Sequence, residues 1–462
     1  MTALWTSAEL AAATGAAAPG FDAGGVSIDT RTLAPGDLFV ALRGEHGDGH
    51  AHVAAALARG AAGAMVHRGG VGGRLLRVAD TLAGLQALGA AGRSRFAGRA
   101  VAVTGSVGKT TTKEMLRVAL GTFGATHAAP ASYNNQWGVP LTLARLPRDA
   151  AFAIAEIGMN HAGEIAPLAR LVRPHVAVIT AVERAHIGQL GSIEAIAREK
   201  ASILSALPAS GAAVLPADSP QLPLLRAAAG GARVLLFGRA PGATVRLLDL
   251  AADAGGSDVA AAIDGTELRF RLPAPGAHMA INALAALAVV HALGQDVARA
   301  AAALAAFAPV GGRGAHLRIA VPGGEVLLLD ESYNASSASV RAALDVLALQ
   351  PATRRIAVLG DMLELGDHGP AEHSALVSSV VSVAHMVFTC GKLMRRVHES
   401  LPDRIRGVHA DDSVALAPSV AAALRPGDVV LVKGSLGSRM SMIVQALRAP
   451  PVAVPTVPGQ VR

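Results

Sequence analysis

The run Thr104-Gly105-Ser106-Val107-Gly108-Lys109-Thr110-Thr111 carries the residue types that bind a polyphosphate. The apolar residues Ala100–Val103 before it read as a buried strand, and Lys109 to Leu120 after it read as a helix. A glycine turn between a strand and a helix N-terminus points free backbone N–H groups, and the positive end of the helix dipole, at whatever sits in the turn. Lys109 adds a mobile positive charge, and the Thr110 hydroxyl adds a ligand for Mg²⁺. The stretch should hold the β- and γ-phosphates of a nucleotide. The full phosphate-loop pattern also puts a glycine five residues before Gly108, where this chain has Val103, so the loop is a shortened one. Packing alone gives no reason for Gly-Lys-Thr-Thr-Thr after an apolar strand.

Other polar residues sit where strands end. Glu156 closes the apolar run that starts at Phe152, the place of an acidic Mg²⁺ ligand in the sheet that carries the loop. His186 follows the strand-like run His175–Val182, where metal or phosphate contact and a structural role are both open. Lys200 lies in a helical pattern and, by itself, reads as a solvated lysine. Asn134 and Asn135 precede Gly138-Val-Pro140; paired amides can hold phosphate or carbonyl oxygens, and they also make turns. Ser27, Asp29, Thr30 and Arg31 form a polar cluster that suits a nucleobase, ribose or phosphate as well as ordinary turn chemistry. Arg313 between glycines could reach a phosphate from a hinge at Gly311–Gly314, and Asp330 at a strand end could bind a ribose.

The elements that must position these residues alternate as in an α/β protein. Residues 1–98 form a first part with a buried strand at Phe39–Leu42. Residues 99–310 hold strands at Phe152–Ile157, His175–Val182 and Ala212–Leu215, with a helix at Ser192–Leu207, the rhythm of a parallel sheet covered on both faces. From Val245 to Leu272 shorter alternating strands suggest a hairpin flap. Residues 311–462 repeat the alternation, with strands at Glu325–Asp330, Arg355–Leu359 and Val429–Val432 and a helix at Val340–Leu349. Polar residues gather just past these strand ends, as in a Rossmann-like sheet with its own site.

Length and composition are consistent with about three domains. The net charge of +7 comes from scattered arginines, and aromatic residues are only 3% of the chain, so nucleic-acid binding is not expected. The single cysteine, Cys390, excludes a disulfide framework and reads as buried filler. Met1–Leu10 has no basic run, and the Ala-rich segments Ile281–Leu293 and Ala300–Ala308 are too short to span a membrane, so a cytoplasmic chain without membrane attachment is expected.

Taken together, these motifs resemble the Mur ligase family across nearly the whole chain. The shortened loop is the family's ATP loop, Glu156-Ile-Gly-Met-Asn-His-Ala-Gly-Glu164 resembles the segment with its Mg²⁺ glutamate, and His186 with Lys200 resembles its metal histidine and carbamylated lysine. Gly276-x-His278-x-x-x-Asn282 resembles the segment whose Asn approaches adenine, and Gly312-Arg313-Gly314 resembles its hinge arginine. Glu183-Arg184 departs from the small residues expected before the histidine. Asp330–Ser336, Gly360–Gly366 and Lys433-Gly434-Ser435 resemble the members that add a D-alanyl-D-alanine dipeptide; Asp29-Thr-Arg31 and Asp48-Gly-His50 resemble their UDP-sugar part.

The resemblance implies a small α/β UDP-substrate domain (1–98), a central P-loop-type parallel-sheet ATPase domain (99–310) and a C-terminal Rossmann-like domain for the dipeptide (311–462). It implies ATP-dependent amide formation between UDP-MurNAc-tripeptide and D-alanyl-D-alanine through an acyl phosphate, with ATP bridging two domains. ATP would meet Thr104–Thr111, Asn282, Arg313 and Asp330; the UDP-substrate would meet Ser27, Asp29, Thr30, Arg31, Asn134 and Asn135; the dipeptide would lie towards Tyr333, Asn334, Ser336 and Asp361. Two Mg²⁺ sites would draw on Thr110, Glu156, His186 and carbamylated Lys200, and Lys109 would complete the catalytic set. A monomer is expected. Another amino-acid-adding member of the family, or a folylpolyglutamate synthase-like ligase, is the alternative.

Overall fold

The structure, a computed structural model, describes residues 3–44, 47–69 and 73–448; residues 449–462, counted above with the third domain, lie outside the described residues. Among the described residues the strands form three sheets. The first is parallel, in order β1 (Gly25–Ser27), β2 (Asp37–Val40), β3 (Gly63–Val66) and β4 (Leu75–Arg77). The second has nine strands: β5 (Arg99–Thr104), β6 (Thr126–Ala128), β7 (Phe152–Glu156), β8 (Val176–Ile179), β9 (Ala212–Pro216), β10 (Arg233–Gly238), β11 (Val245–Asp253), β12 (Gly256–Ile263) and β13 (Thr266–Leu272). The third has six: β14 (Ala315–Val321), β15 (Gly324–Glu331), β16 (Arg354–Gly360), β17 (Met386–Cys390), β18 (Arg406–Ala410) and β19 (Asp428–Lys433).

The second sheet runs β13-β12-β11-β10-β9-β8-β5-β7-β6. Its central strands are parallel, and β5 lies between β7 and β8. Chain order and spatial order part company there, because helices carry the chain from one strand to the next. The loop after β5 and the end of β7 therefore lie side by side, at the edge where open parallel sheets bind ligands. The short alternating strands expected as a hairpin flap over Val245–Leu272 are β11–β13, and they continue this sheet: β11 pairs parallel with β10, and β12 pairs antiparallel with β13.

The chain divides into two compact units. The first holds residues 1–251, 257–273 and 277–307, so the first and second sheets belong together. One apolar cluster explains this: Trp5, Leu10, Val26, Leu38, Met65, Leu85 and Leu88 pack with Leu141 and Ala144 from the helix Gly138–Ala144. Trp5 Nε1 donates to Ala144 O at 2.8 Å, and Arg145 Nε donates to Val26 O at 2.5 Å. The helix Thr81–Arg95 crosses that helix at Gly89 and Gly92. A Cβ on Gly92 would sit 2.2 Å from Leu143 O, so the approach needs glycine.

Among the described residues, the second unit holds 252–256, 274–276 and 308–448. Strands β15, β19, β16, β17 and β18 pair parallel, and β14 caps the edge antiparallel. Leu328, Ile356, Val358, Val430 and Val432 meet Leu416, Val420, Ile443 and Val444 across one face. Cys390 is buried there against Met440, and burial pushes its thiol up to about 12. It is packing material, as its position in an apolar run indicates.

His373, fully buried, accepts from Met362 N through Nε2 at 2.9 Å and lies 2.7 Å from Gly369 O through Nδ1. Both bonds suit the neutral ring, with the proton on Nδ1, and burial holds its pKa below the ordinary 6.5. The unfolded chain therefore takes up a proton first as pH falls below 6.5, and this residue's contribution is complete above that value and lost below it. Thermal unfolding of the wild type should show a Tm that falls as pH drops below 6.5, and His373→Gln should flatten that dependence.

Candidate active site

The phosphate-loop sequence folds as its residue types dictate. β5 ends at Thr104, and the helix Lys109–Gly121 starts with Gly108 in the left-handed region, φ 83°. Gly105 and Gly108 are glycines for a steric reason as well. A Cβ on Gly105 would lie 1.9 Å from Thr180 Oγ1, and one on Gly108 would lie 2.3 Å from Asn282 Oδ1. Thr180, at the end of β8, donates to Val107 O at 2.5 Å. Ser106 N donates to Ala181 O at 2.9 Å, and Ser106 Oγ donates to Glu183 O at 3.0 Å while accepting from Glu183 N at 2.9 Å. The loop is thus strapped to the segment that follows β8. Lys109 Nζ donates to Gly105 O at 2.7 Å, which keeps the ammonium inside the loop.

Beside it lies the carboxylate of Glu156, 2% exposed at the end of β7. Thr110 Oγ1 donates to Glu156 Oε2 at 2.8 Å, and Asn134 Nδ2 donates to Oε1 at 2.8 Å. Since the Thr110 proton goes to Glu156, Ser132 Oγ, 2.9 Å away, must donate to Thr110 Oγ1. A hydroxyl and a carboxylate in contact beside a phosphate cradle are the hard oxygen donors that Mg²⁺ takes, with phosphate oxygens and water for the rest of its octahedron. The residues fit one Mg²⁺ of a nucleotide.

A second cation is a different matter. His186 begins the short helix Ile187–Leu190 in the left-handed region, φ 63°. Lys200 is buried at 1% exposure, and Nζ makes no hydrogen bond among the described residues. Burial first, and then repulsion from Lys109, drive its pKa well below the ordinary value, against the pull of Glu199. Neighbouring Glu199 accepts from Gly163 N at 2.8 Å and Ile165 N at 2.9 Å, capping the helix Ile165–Val172. Among the described residues no three His, Cys, Asp or Glu side chains gather as a metal site. An unmodified lysine amine does not fit Mg²⁺.

Three family models match the chain: "Mur ligase family, catalytic domain" over residues 22–87, "Mur ligase middle domain" over 103–290 and "Mur ligase, glutamate ligase domain" over 318–436. A UDP-N-acetylmuramoyl-tripeptide–D-alanyl-D-alanine ligase from Synechocystis sp. is 37% identical over 440 residues, 92% of either chain. The chain belongs to the Mur ligase family. Among solved structures, MurF from Acinetobacter baumannii superposes with a TM-score of 0.84 at 30% identity, covering 96% of this chain and 98% of that one. MurF ligase from Thermotoga maritima in complex with ADP superposes at 0.77 and 27% identity, covering 92% and 97%.

This Mur ligase distributes its remaining polar residues unevenly. Asn134, expected on the UDP-substrate side, donates to Glu156 Oε1. Asn135 Oδ1 accepts from Trp137 N and Gly138 N, and so starts the helix Gly138–Ala144. Asn282 packs its carboxamide on Gly108. Ser27, Asp29, Thr30 and Arg31 form a turn after β1 in which Asp29 takes Arg31 Nε and a second guanidinium N–H at 2.6 Å; these bonds hold the Asp29 carboxyl below its usual range. Asp48 Oδ1 lies 2.6 Å from His50 Nδ1.

The second unit gathers polar groups at the ends of β15, β16 and β19. Asp330, expected to bind ribose, accepts from Gly312 N at 2.9 Å and from the Ser332 hydroxyl at 2.6 Å. Gly314 N donates to Asp330 O, and Arg313 stacks 3.9 Å over the Tyr333 ring. The turn Gly311–Gly314, expected as a hinge, is thus hydrogen-bonded to Asp330. Asp361 accepts from Leu393 N and Met394 N, Asn334 O accepts from Lys433 Nζ at 3.0 Å, and Ser336 caps the helix Ser337–Leu349.

Sequence reasoning missed Thr180 and Ser132, single hydroxyls with no motif of their own. Gly108→Ala tests the loop geometry. Left-handed strain costs about 1–3 kcal/mol, which is roughly tenfold to a hundredfold in affinity if the loop must hold that shape to bind. ADP titrated calorimetrically should bind the variant weaker by about that factor, with circular dichroism unchanged.

Proposed function

We propose that this chain joins D-alanyl-D-alanine to UDP-MurNAc-tripeptide at the expense of ATP, giving UDP-MurNAc-pentapeptide, ADP and phosphate. The observation that carries it is the Thr110–Glu156 pair against the phosphate loop, set in a chain that is similar end to end to ligases of that specificity.

The substrate's terminal carboxylate attacks the γ-phosphorus, the bond to the β-phosphate oxygen breaks, and ADP leaves. The dipeptide amine, once deprotonated, attacks the acyl carbon, and inorganic phosphate departs with its electron pair. Both nucleophile and electrophile are anionic at the first step, so charge must be neutralised before they can meet. Lys109 and the loop N–H groups would hold the β,γ-phosphates. Thr110 and Glu156 would hold Mg²⁺, which supplies Lewis-acid neutralisation when bound. Asn134 and Ser132 keep those two ligands in place. His186 and a carbamylated Lys200 would hold a second Mg²⁺. The lowering of the Lys200 pKa by burial favours the neutral amine, the form that reacts with CO₂ to give a carbamate carrying the negative charge Lys200 lacks.

In the same reading, residues 1–98 hold the UDP-sugar end through the turn at Ser27–Arg31, residues 99–310 hold ATP, and residues 311–462 receive the dipeptide near Tyr333, Asn334, Ser336 and Asp361. No helix of the described residues is long and apolar enough to cross a membrane.

Phosphate release should require ATP, Mg²⁺, UDP-MurNAc-tripeptide and D-alanyl-D-alanine together. Release that ignores the dipeptide but answers to a single amino acid would move the chain to another amino-acid-adding Mur ligase. Lys109→Ala should lower kcat about a hundredfold to a thousandfold by removing transition-state charge stabilisation. ¹³C-labelled bicarbonate should give a carbamate resonance in the wild type that is missing in Lys200→Ala.

A further inference from the structure

Lys113 sits on the helix that begins at Lys109 and is fully buried. Taking an ammonium out of water costs several kcal/mol unless its donors are met, so a helix lysine without a task would extend into solvent. Here Nζ donates to Ala129 O at 2.6 Å and Ala131 O at 3.2 Å, and the Glu114 carboxylate pairs with the ammonium at 3.0 Å. The two carbonyls belong to the segment that follows β6. A few residues on, that segment supplies Ser132, which donates to Thr110, and Asn134, which donates to Glu156. Gly158 N in turn donates to Asn134 O at 2.7 Å, tying the segment to the residues after β7. One helix thus grips the site twice, at Thr110 directly and at Lys113 through the backbone that carries the partners of Thr110 and Glu156.

We propose that Lys113 is a positioning residue for the nucleotide's cation: its charge-assisted bonds to Ala129 and Ala131 hold Ser132 and Asn134 where they orient the Thr110 hydroxyl and the Glu156 carboxylate. The inference rests on the reading that Thr110 and Glu156 hold Mg²⁺. Removing a group that orients metal ligands costs about 10–100-fold in metal affinity or activity.

The test is a Mg²⁺ titration of phosphate release, and of ADP binding by calorimetry, for the wild type, Lys113→Met, Ser132→Ala and the double variant. Lys113→Met should raise the half-saturating Mg²⁺ about tenfold or more, with the KM for UDP-MurNAc-tripeptide unchanged. The double variant should lose no more than the worse single one, because both act through the same segment. Should Lys113→Met not fold, Lys113→Gln carries the same expectation. An unchanged Mg²⁺ dependence in a folded variant with a lowered Tm would make Lys113 a purely structural residue and overturn the proposal. So would strictly additive losses. A wild type whose phosphate release ignores Mg²⁺ would instead overturn the reading beneath it.

Discussion

The site depends on a carboxylate that cannot be left alone. Glu156 is buried at the end of β7. A buried carboxylate without hydrogen-bond donors is too costly to keep charged. Its donors come from two places far apart in the chain, Thr110 on the helix after the phosphate loop and Asn134 in the segment after β6. Satisfying Glu156 therefore closes three chain segments around one point. The proposed chemistry needs a carboxylate and a hydroxyl beside the phosphates, and folding needs those same groups paired.

The loop is built under the same constraint of space. Thr180 and Asn282 occupy the volumes that side chains on Gly105 and Gly108 would need. Glycine here does more than allow a turn: it admits neighbours that fix the loop from both sides. Because β8 and β5 are adjacent and parallel, Thr180 and the segment to Glu183 arrive beside the loop without any local sequence signal.

Two buried lysines show how environment divides one side chain into two roles. Lys113 is surrounded by acceptors and serves as a charged tie between a helix and a loop. Lys200 makes no hydrogen bond among the described residues and lies close enough to Lys109 for mutual repulsion, so its neutral form is favoured.

By itself the sequence determined the local chemistry: the strand-turn-helix around Thr104–Thr111, the acid at a strand end, the α/β alternation and the buried character of Cys390. These follow from residue type and short-range spacing, which one stretch of chain carries whole. Tertiary structure decided what required two distant stretches to meet. It joined the second sheet's Val245–Leu272 strands to β10, where the sequence suggested a flap, because pairing partners are not written in a strand's own pattern. It merged residues 1–98 with the central sheet through a core shared by Trp5, Leu88 and Leu141. It fastened the turn at Gly312 to Asp330, and turned Asn134 towards Glu156. An amide or a threonine announces only that it can hydrogen-bond; which group it bonds is fixed by the strand order that brings the partner within 3 Å.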